Sequence, residues 1–260
     1  MRLGLLADIH GNLPALEVAL DELARAGVDR HVCAGDLVGY GPYPNECVER
    51  MVELDAVCVA GNHDLVAIGR PGLERCAEPA RSTLRWTSEV ISDTTRRWLE
   101  ELPVEARLDG VLVTHGALRD PWRYLATAQD AAAEIYRLAE LEPEARLLVT
   151  GHTHHPMAVA RSERGVVGRR AGTVALQSQG RWLLNPGSVG QSRERRPLVR
   201  FMILDLGTAT VEFHAARYDV RICREELRRH GMPVDSCHLR PRPWRYRAAA
   251  VARTLRRAVR

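Results

Sequence analysis

Short apolar runs rich in Val, Leu and Ile recur along the chain, each closing on polar residues, at 3–7, 31–34, 56–60, 111–114, 147–150, 182–184, 199–204 and 210–213. They are too short for helices and enriched in branched side chains, so each predicts a buried strand. The stretches between the first three carry the helical period instead. Leu13, Leu16, Leu20 and Leu23 keep one face before Gly27, and Val48, Val52 and Leu54 follow a cap expected at Asn45. Strand–helix–strand alternation predicts βαβ units and a layered α/β fold. The later strands are separated by turns alone, which predicts a mixed or antiparallel sheet on one side. Residues 70–108 show no strand pattern and two helical stretches, 78–90 and 92–102, and read as a helical cap insertion. Further helices are expected at 130–141, at 220–230 and, beyond Pro241-Arg242-Pro243, at 248–259. No internal repeat and no second core is visible. The pattern predicts one domain over 1–216 and a basic helical tail over 217–260.

Composition narrows the class. Of 260 residues 45% are apolar and 27% charged, and the mean hydropathy is −0.24, as in soluble globular chains. No run approaches the ~20 apolar residues of a membrane span, and Met1-Arg2 enters the first strand with no cleavable signal layout. Cys33, Cys47, Cys58, Cys76, Cys223 and Cys237 form no CxxC pair and read as free thiols of a cytoplasmic protein. The net charge of +4 is uneven: residues 217–260 hold 13 Arg against 4 acidic residues, a balance of +9, which leaves −5 on residues 1–216. All 37 basic residues are arginine, a bias that a GC-rich genome explains.

Five predicted strands end in metal-ligand side chains. The first ends Asp8-Ile9-His10, the second Gly35-Asp36, the third Gly61-Asn62-His63-Asp64, the fourth His115-Gly116 and the fifth Gly151-His152-Thr153-His154. Residues i and i+2 of an extended segment point the same way, so Asp8 with His10, and His152 with His154, can each grip one ion. Strand carboxyl ends of α/β folds converge on one crevice. Taken singly, a D-x-H or a lone His is a weak sign, and His31, His214, His230 and His238 are assigned no role. Five such groups in order are a different matter. Mixed Asp, Asn and His without thiolate suit Mn²⁺, Fe²⁺, Zn²⁺, Co²⁺ or Ni²⁺, and seven ligands suit two ions rather than one tetrahedral ion. Two such ions can clamp a phosphate and generate hydroxide at neutral pH.

The series D-x-H, G-D, G-N-H-D, H and G-H-x-H resembles the pattern of the calcineurin-like metallophosphoesterases, over roughly residues 1–215. The resemblance implies a layered sandwich of two mixed sheets flanked by helices. It also implies that Asp8, His10, Asp36 and His154 bind one ion, and that Asp36, Asn62, His115 and His152 bind the second, with Asp36 bridging. His63 would protonate the leaving oxygen after attack by a metal-bound hydroxide, Asp64 would help orient it, and His155 would be structural. The G-D-x-V-D-R-G pattern of Ser/Thr protein phosphatases is absent, since Leu37-Val38-Gly39-Tyr40-Gly41 follows Asp36. Segments 35–46 and 78–87, His115-Gly116 with Arg119-Asp120-Pro121, the run Asn185-Pro186-Gly187-Ser188-Val189-Gly190-Gln191 and Tyr218-Asp219-Val220 resemble a compact bacterial and archaeal subgroup instead. That subgroup holds phosphodiesterases and proteins similar to diadenosine tetraphosphate hydrolases. Ala117-Leu118 and the short, arginine-rich loop 192–197 depart from its pattern, both where substrate recognition is expected.

The expected function is therefore two-metal hydrolysis, with Mn²⁺ the favoured ion, of a small, nucleotide-like phosphodiester or dinucleoside polyphosphate. The basic tail keeps a nuclease as the alternative, with arginine–phosphate affinity that salt would weaken. A non-catalytic scaffold of the same fold is the third reading. Val251, Leu255 and Val259 form a stripe that suits a homo-oligomer contact, a surface-binding helix or a helix lying on the body.

Overall fold

The computed structural model describes residues 1–160, 165–167, 172–176 and 180–240. Among these described residues twelve strands form two mixed sheets. In the first, β3 (Val57–Cys58), β2 (Arg30–Cys33), β1 (Arg2–Leu6), β11 (Val199–Asp205), β12 (Thr210–Ala216) and β9 (Gly172–Ala175) lie side by side in that order. In the second the order is β4 (Glu105–Leu108), β5 (Val111–Thr114), β6 (Leu147–Val149), β10 (Trp182–Asn185), β7 (Met157–Ala160) and β8 (Gly165–Val167). Each sheet has a parallel part, β1 with β2 and β3 in one and β5 with β6 and β10 in the other, and antiparallel strands beside it. Both sheets are thus mixed, as the family resemblance implies.

The inner faces pack on each other through Leu3, Leu5, Val32, Val113, Val149, Leu184, Met202, Leu204 and Phe213, all buried. Helices α1 (Leu13–Arg25) and α2 (Pro44–Glu53) cover the outer face of the first sheet through Leu16, Leu20, Leu23, Val48 and Met51. Helix α6 (Ala128–Leu141) covers the second through Ile135 and Leu138. Strands fully buried on both faces are why their sequences read as continuous apolar runs.

Several expectations change. Residues 70–108 are not all helical. A short 3₁₀ turn (Leu73–Arg75), α4 (Ala80–Val90) and α5 (Asp93–Glu101) are followed by β4, a half-exposed edge strand whose Glu105 and Arg107 interrupt any apolar run. Asn45 does not cap α2, which begins at Pro44 behind Tyr43. The Asn45 side chain instead bridges α4 to α5, donating to the Val90 carbonyl and accepting from Ser92 N. The third predicted strand shrinks to two residues, and Asn62 opens the short α3 (Asn62–Ala67).

Of the expected tail, α7 (Val220–Arg229) forms and packs on α1. Ser236 then donates to the Tyr40 carbonyl, and Leu239 N to that of Ser192, so residues 230–240 run back to the ligand end of the sandwich. The expected helix 248–259 and its stripe lie outside the described residues. The six cysteines are free and buried. Among the described residues no helix is long and apolar enough to cross a membrane.

Candidate metal centre

The seven expected ligands meet at one end of the sandwich, all of them buried. They do so from just beyond the strands, not within them. Asp8 and His10 follow β1 with φ of +53° and +50°, Asp36 follows β2 at +55°, and His152 and His154 follow β6 at +64° and +59°. Strand alternation therefore does not align Asp8 with His10, as the extended reading supposed; left-handed backbone does. Each such non-glycine residue costs of order 1–3 kcal/mol, a strain that the surrounding structure must over-determine.

That support is visible in the backbone. His10 N donates to the Asp36 carbonyl, Asp8 N to that of Gly35 and His152 N to Asp8 Oδ1, which locks three ligand turns together. Asp36 Oδ1 accepts from His63 N, which leaves Oδ2 to face the imidazoles. Only glycine fits at position 61, where a Cβ would overlap Asp36 Oδ1 and N. Asp64 binds the same turns from behind: Oδ1 accepts from Leu37 N and Val38 N, and Oδ2 from Gly61 N. Asn185, the last residue of β10, and Ser188 just after it hold the Gly151 and Asp8 carbonyls. They sit beside the centre and brace it.

The ring nitrogens define the electrostatics. Four imidazoles each direct one nitrogen to a backbone carbonyl: His10 to Val38 (3.2 Å), His115 to Ala34 (2.7 Å), His152 to Trp122 (3.1 Å) and His154 to Gln191 (2.8 Å). A carbonyl only accepts, so each of those nitrogens carries the hydrogen and the opposite nitrogen turns into the cluster. There His10 Nε2 lies 3.2 Å from His154 Nε2 and 3.6 Å from Asp36 Oδ2. On the other side His115 Nε2 lies 3.2 Å from Asp36 Oδ2, 3.2 Å from His152 Nδ1 and 3.2 Å from Asn62 Oδ1. Asp8 Oδ2 is buried without a hydrogen-bond partner.

So many acceptors turned on one another are stable only around positive charge. Ligand atoms of Asp8, His10 and His154 fall within one ion's reach, those of Asp36, His115 and His152 within another's, and those of His10, Asp36 and His63 between them. Such a donor set fits divalent transition metals. The titrations agree with it. Burial pushes Asp8 up to about 7 and lowers His10, His152 and His154, His152 to about 3. Burial also opposes the charge on Asp36 and His115, yet their mutual attraction wins. It holds Asp36 well below the usual carboxylate range and carries His115 up to about 9. In the ion-free protein a proton on His115 thus supplies positive charge where a cation would.

A cleft of about 310 Å³ opens over the cluster, floored by Asp36, Asn62, His63, His152 and His154. His63 lies edge-on to His10 with ring centroids 4.7 Å apart and stacks on Tyr40 at 4.8 Å; burial lowers its pKa, while the charge of Asp36 opposes that fall. The walls come in part from residues that sequence reasoning passed over and in part from loop 192–197, where it expected substrate recognition. Arg75 and Cys76 precede α4, and Trp122 and Tyr124 precede α6. Arg193 comes from the arginine-rich loop. From segment 70–108, residues 75–78 and Ala80 border the cleft. Nothing periodic marks Arg75, Trp122 or Tyr124 in the sequence.

A two-sheet sandwich with this ligand series at its strand ends defines a metallophosphoesterase. The chain belongs to the calcineurin-like phosphoesterase superfamily, whose domain matches residues 1–209. It is 33% identical to the metallophosphoesterase from Sphaerobacter thermophilus, with a TM-score of 0.78 over 91% of this chain and 97% of that one. An uncharacterised protein of Methanocaldococcus jannaschii is 30% identical over 237 residues, 89% of this chain and 93% of that protein. The phosphodiesterase YfcE of Escherichia coli is 28% identical over 200 residues, 73% of this chain and 86% of the relative.

Proposed function

We propose that the protein is a metal-dependent hydrolase of phosphodiesters or dinucleoside polyphosphates. The observation that carries this reading is the meeting of four carbonyl-anchored imidazoles with two buried carboxylates: His10 and His115 turn to Asp36 Oδ2, His152 to His115, and His154 to His10 and Asp8. Asp8, His10, Asp36 and His154 would hold one divalent ion, Mn²⁺ by preference, and Asp36, Asn62, His115 and His152 the second. Bound there, two ions would lower the pKa of water and neutralise the phosphate.

The chain's own groups do the rest. Asp36 keeps Oδ2 aimed between the two ligand sets because His63 N and the bare Cα of Gly61 fix its other oxygen. His63, on the cleft floor and beside no ring-to-carbonyl anchor of its own, delivers a proton to the departing oxygen. Its Nδ1 is buried without a partner, and the charge of Asp36 favours its protonated form. Asp64 acts through the backbone, holding the G-D and G-N-H-D turns in register. Ligand atoms of His63 also come within an ion's reach of His10 and Asp36, so the test must separate acid from ligand. Hydrolysis of bis-p-nitrophenyl phosphate and of diadenosine tetraphosphate is measured with Mn²⁺, with His63→Ala alongside. We expect kcat to fall by about 10²–10⁴ with metal content unchanged. Loss of metal along with activity would make His63 a ligand, and unaltered turnover would remove it from the reaction.

A further inference from the structure

We propose that Arg193 is the residue that grips the substrate's phosphate, a proposal that rests on the reading of function just given. Arg193 reaches into the cleft from the loop after Gln191, and with Arg75 it is one of two arginines lining it. Its Nη2 lies 3.3 Å from His154 Nε2, the nitrogen turned toward the ligand cluster, and its Nε donates to Gln191 Oε1 at 3.0 Å. The Tyr124 hydroxyl is a further partner. These hydrogen-bonding partners are neutral groups, and the Asp8 carboxyl acts on Arg193 through space without a hydrogen bond to it. Arg193 is partly buried, and its charge bears on Asp8, His10, His63 and Tyr40.

The other arginines nearby are used differently. Arg200 is buried in a two-pronged pair with Glu194, at 2.7 and 2.9 Å. Arg75 lies over the ring of Trp122, 4.2 Å from its centroid. Arg193 alone of the three combines cleft exposure with contact to the ligand cluster.

A guanidinium withdrawn from water with no carboxylate hydrogen-bonded to its fork is costly unless an anion completes it. The nitrogen it touches on His154 is one that an ion would take, and with that contact given up the fork of Arg193 would be free for an anion in the cleft it lines. Planar, doubly donating guanidinium matches two oxygens of a phosphate. The G-D-x-V-D-R-G arginine is missing from this chain, and the loop after Gln191 supplies a cation to the same cleft. The ligand class follows: a phosphoryl group with two free oxygens, as in a diester, a phosphoanhydride or inorganic phosphate.

The test compares metal-loaded wild-type protein with Arg193→Met and Arg193→Gln. KM and kcat are measured for bis-p-nitrophenyl phosphate, the inhibition constant for inorganic phosphate, and metal content and Tm in parallel. Loss of a charge-assisted fork predicts a rise of about tenfold to a hundredfold in KM and in the phosphate constant, with Tm and metal content unchanged. Arg193→Gln keeps a donor for the loop without the charge and is expected to behave as the Met variant does. It carries the test should that variant not fold. A phosphate constant unchanged in a folded variant overturns the inference, as does loss of fold in both, which would make Arg193 a strut. Wild-type protein that neither turns over diester nor binds phosphate would instead overturn the reading of function beneath it.

Discussion

The floor of the cleft is held by backbone and its wall by side chains. On the floor, His10, His115, His152 and His154 are each anchored to a main-chain carbonyl, and Asp36 to a main-chain amide. On the wall, Arg75 rests on Trp122, Tyr124 lies against the His152 ring with centroids 3.9 Å apart, and Arg193 hangs from Gln191. Tyr124 is 51% exposed, whereas Asp8, His10 and His115 are fully buried. A floor tied into two sheets tolerates little displacement and suits chemistry that needs fixed geometry. A wall of loop side chains can change without disturbing the sandwich, and such positions set which substrate is accepted.

Breaking the floor should therefore disturb metal binding before substrate choice. Gly61→Ala places a methyl against Asp36 and is expected to weaken Mn²⁺ binding by about 10–100-fold, in the range of lost ligand support. Titration calorimetry on the folded variant checks this, and unaltered affinity would show that Asp36 is free to move.

The floor should also respond to pH. Asp8 holds a proton below about 7 and His115 below about 9 in the ion-free protein. Both must release it to bind an ion, so apparent metal affinity rises with pH. Between pH 8 and 6 a loss of at least about tenfold is expected, since binding is linked to proton release. A flat profile in that interval would contradict the assigned protonation.

Breaking the wall should do the reverse. Tyr124→Ala is expected to raise KM for aromatic or nucleotide diesters by several-fold, about the worth of one ring contact, and to leave metal content alone. Steady-state kinetics with dimethyl and nucleotide diesters side by side would sharpen this. An equal effect on both would mean that Tyr124 acts through His152 and belongs to the floor.

The same contrast governs what the sequence discloses. The floor was legible because the candidate ligands are Asp, Asn and His residues gathered just after apolar runs, five of the seven beside a glycine. Residues 3–7, 31–34, 111–114 and 147–150 announce the strands that carry it. The left-handed turns that aim Asp8 and His10 were not legible, because nothing in D-x-H distinguishes them from strand alternation. β4 escaped as a half-exposed edge strand with charged residues, and Asn45 was misread because capping residues also bridge loops. The wall was the least legible part. Trp122 and Tyr124 sit in an aperiodic loop, and Arg193 stands in a chain whose 37 basic residues are all arginine, so its type carries no signal. Only the fold brings it beside His154.

Asp36 is expected to serve two ions at once. Calorimetry with Mn²⁺ on ion-free protein at pH 8, with bound metal counted after desalting, tests this directly. The expected result is two ions per chain in the wild-type protein and neither retained in a folded Asp36→Ala variant. One ion per chain in the wild type, or two kept by Asp36→Ala, would contradict it.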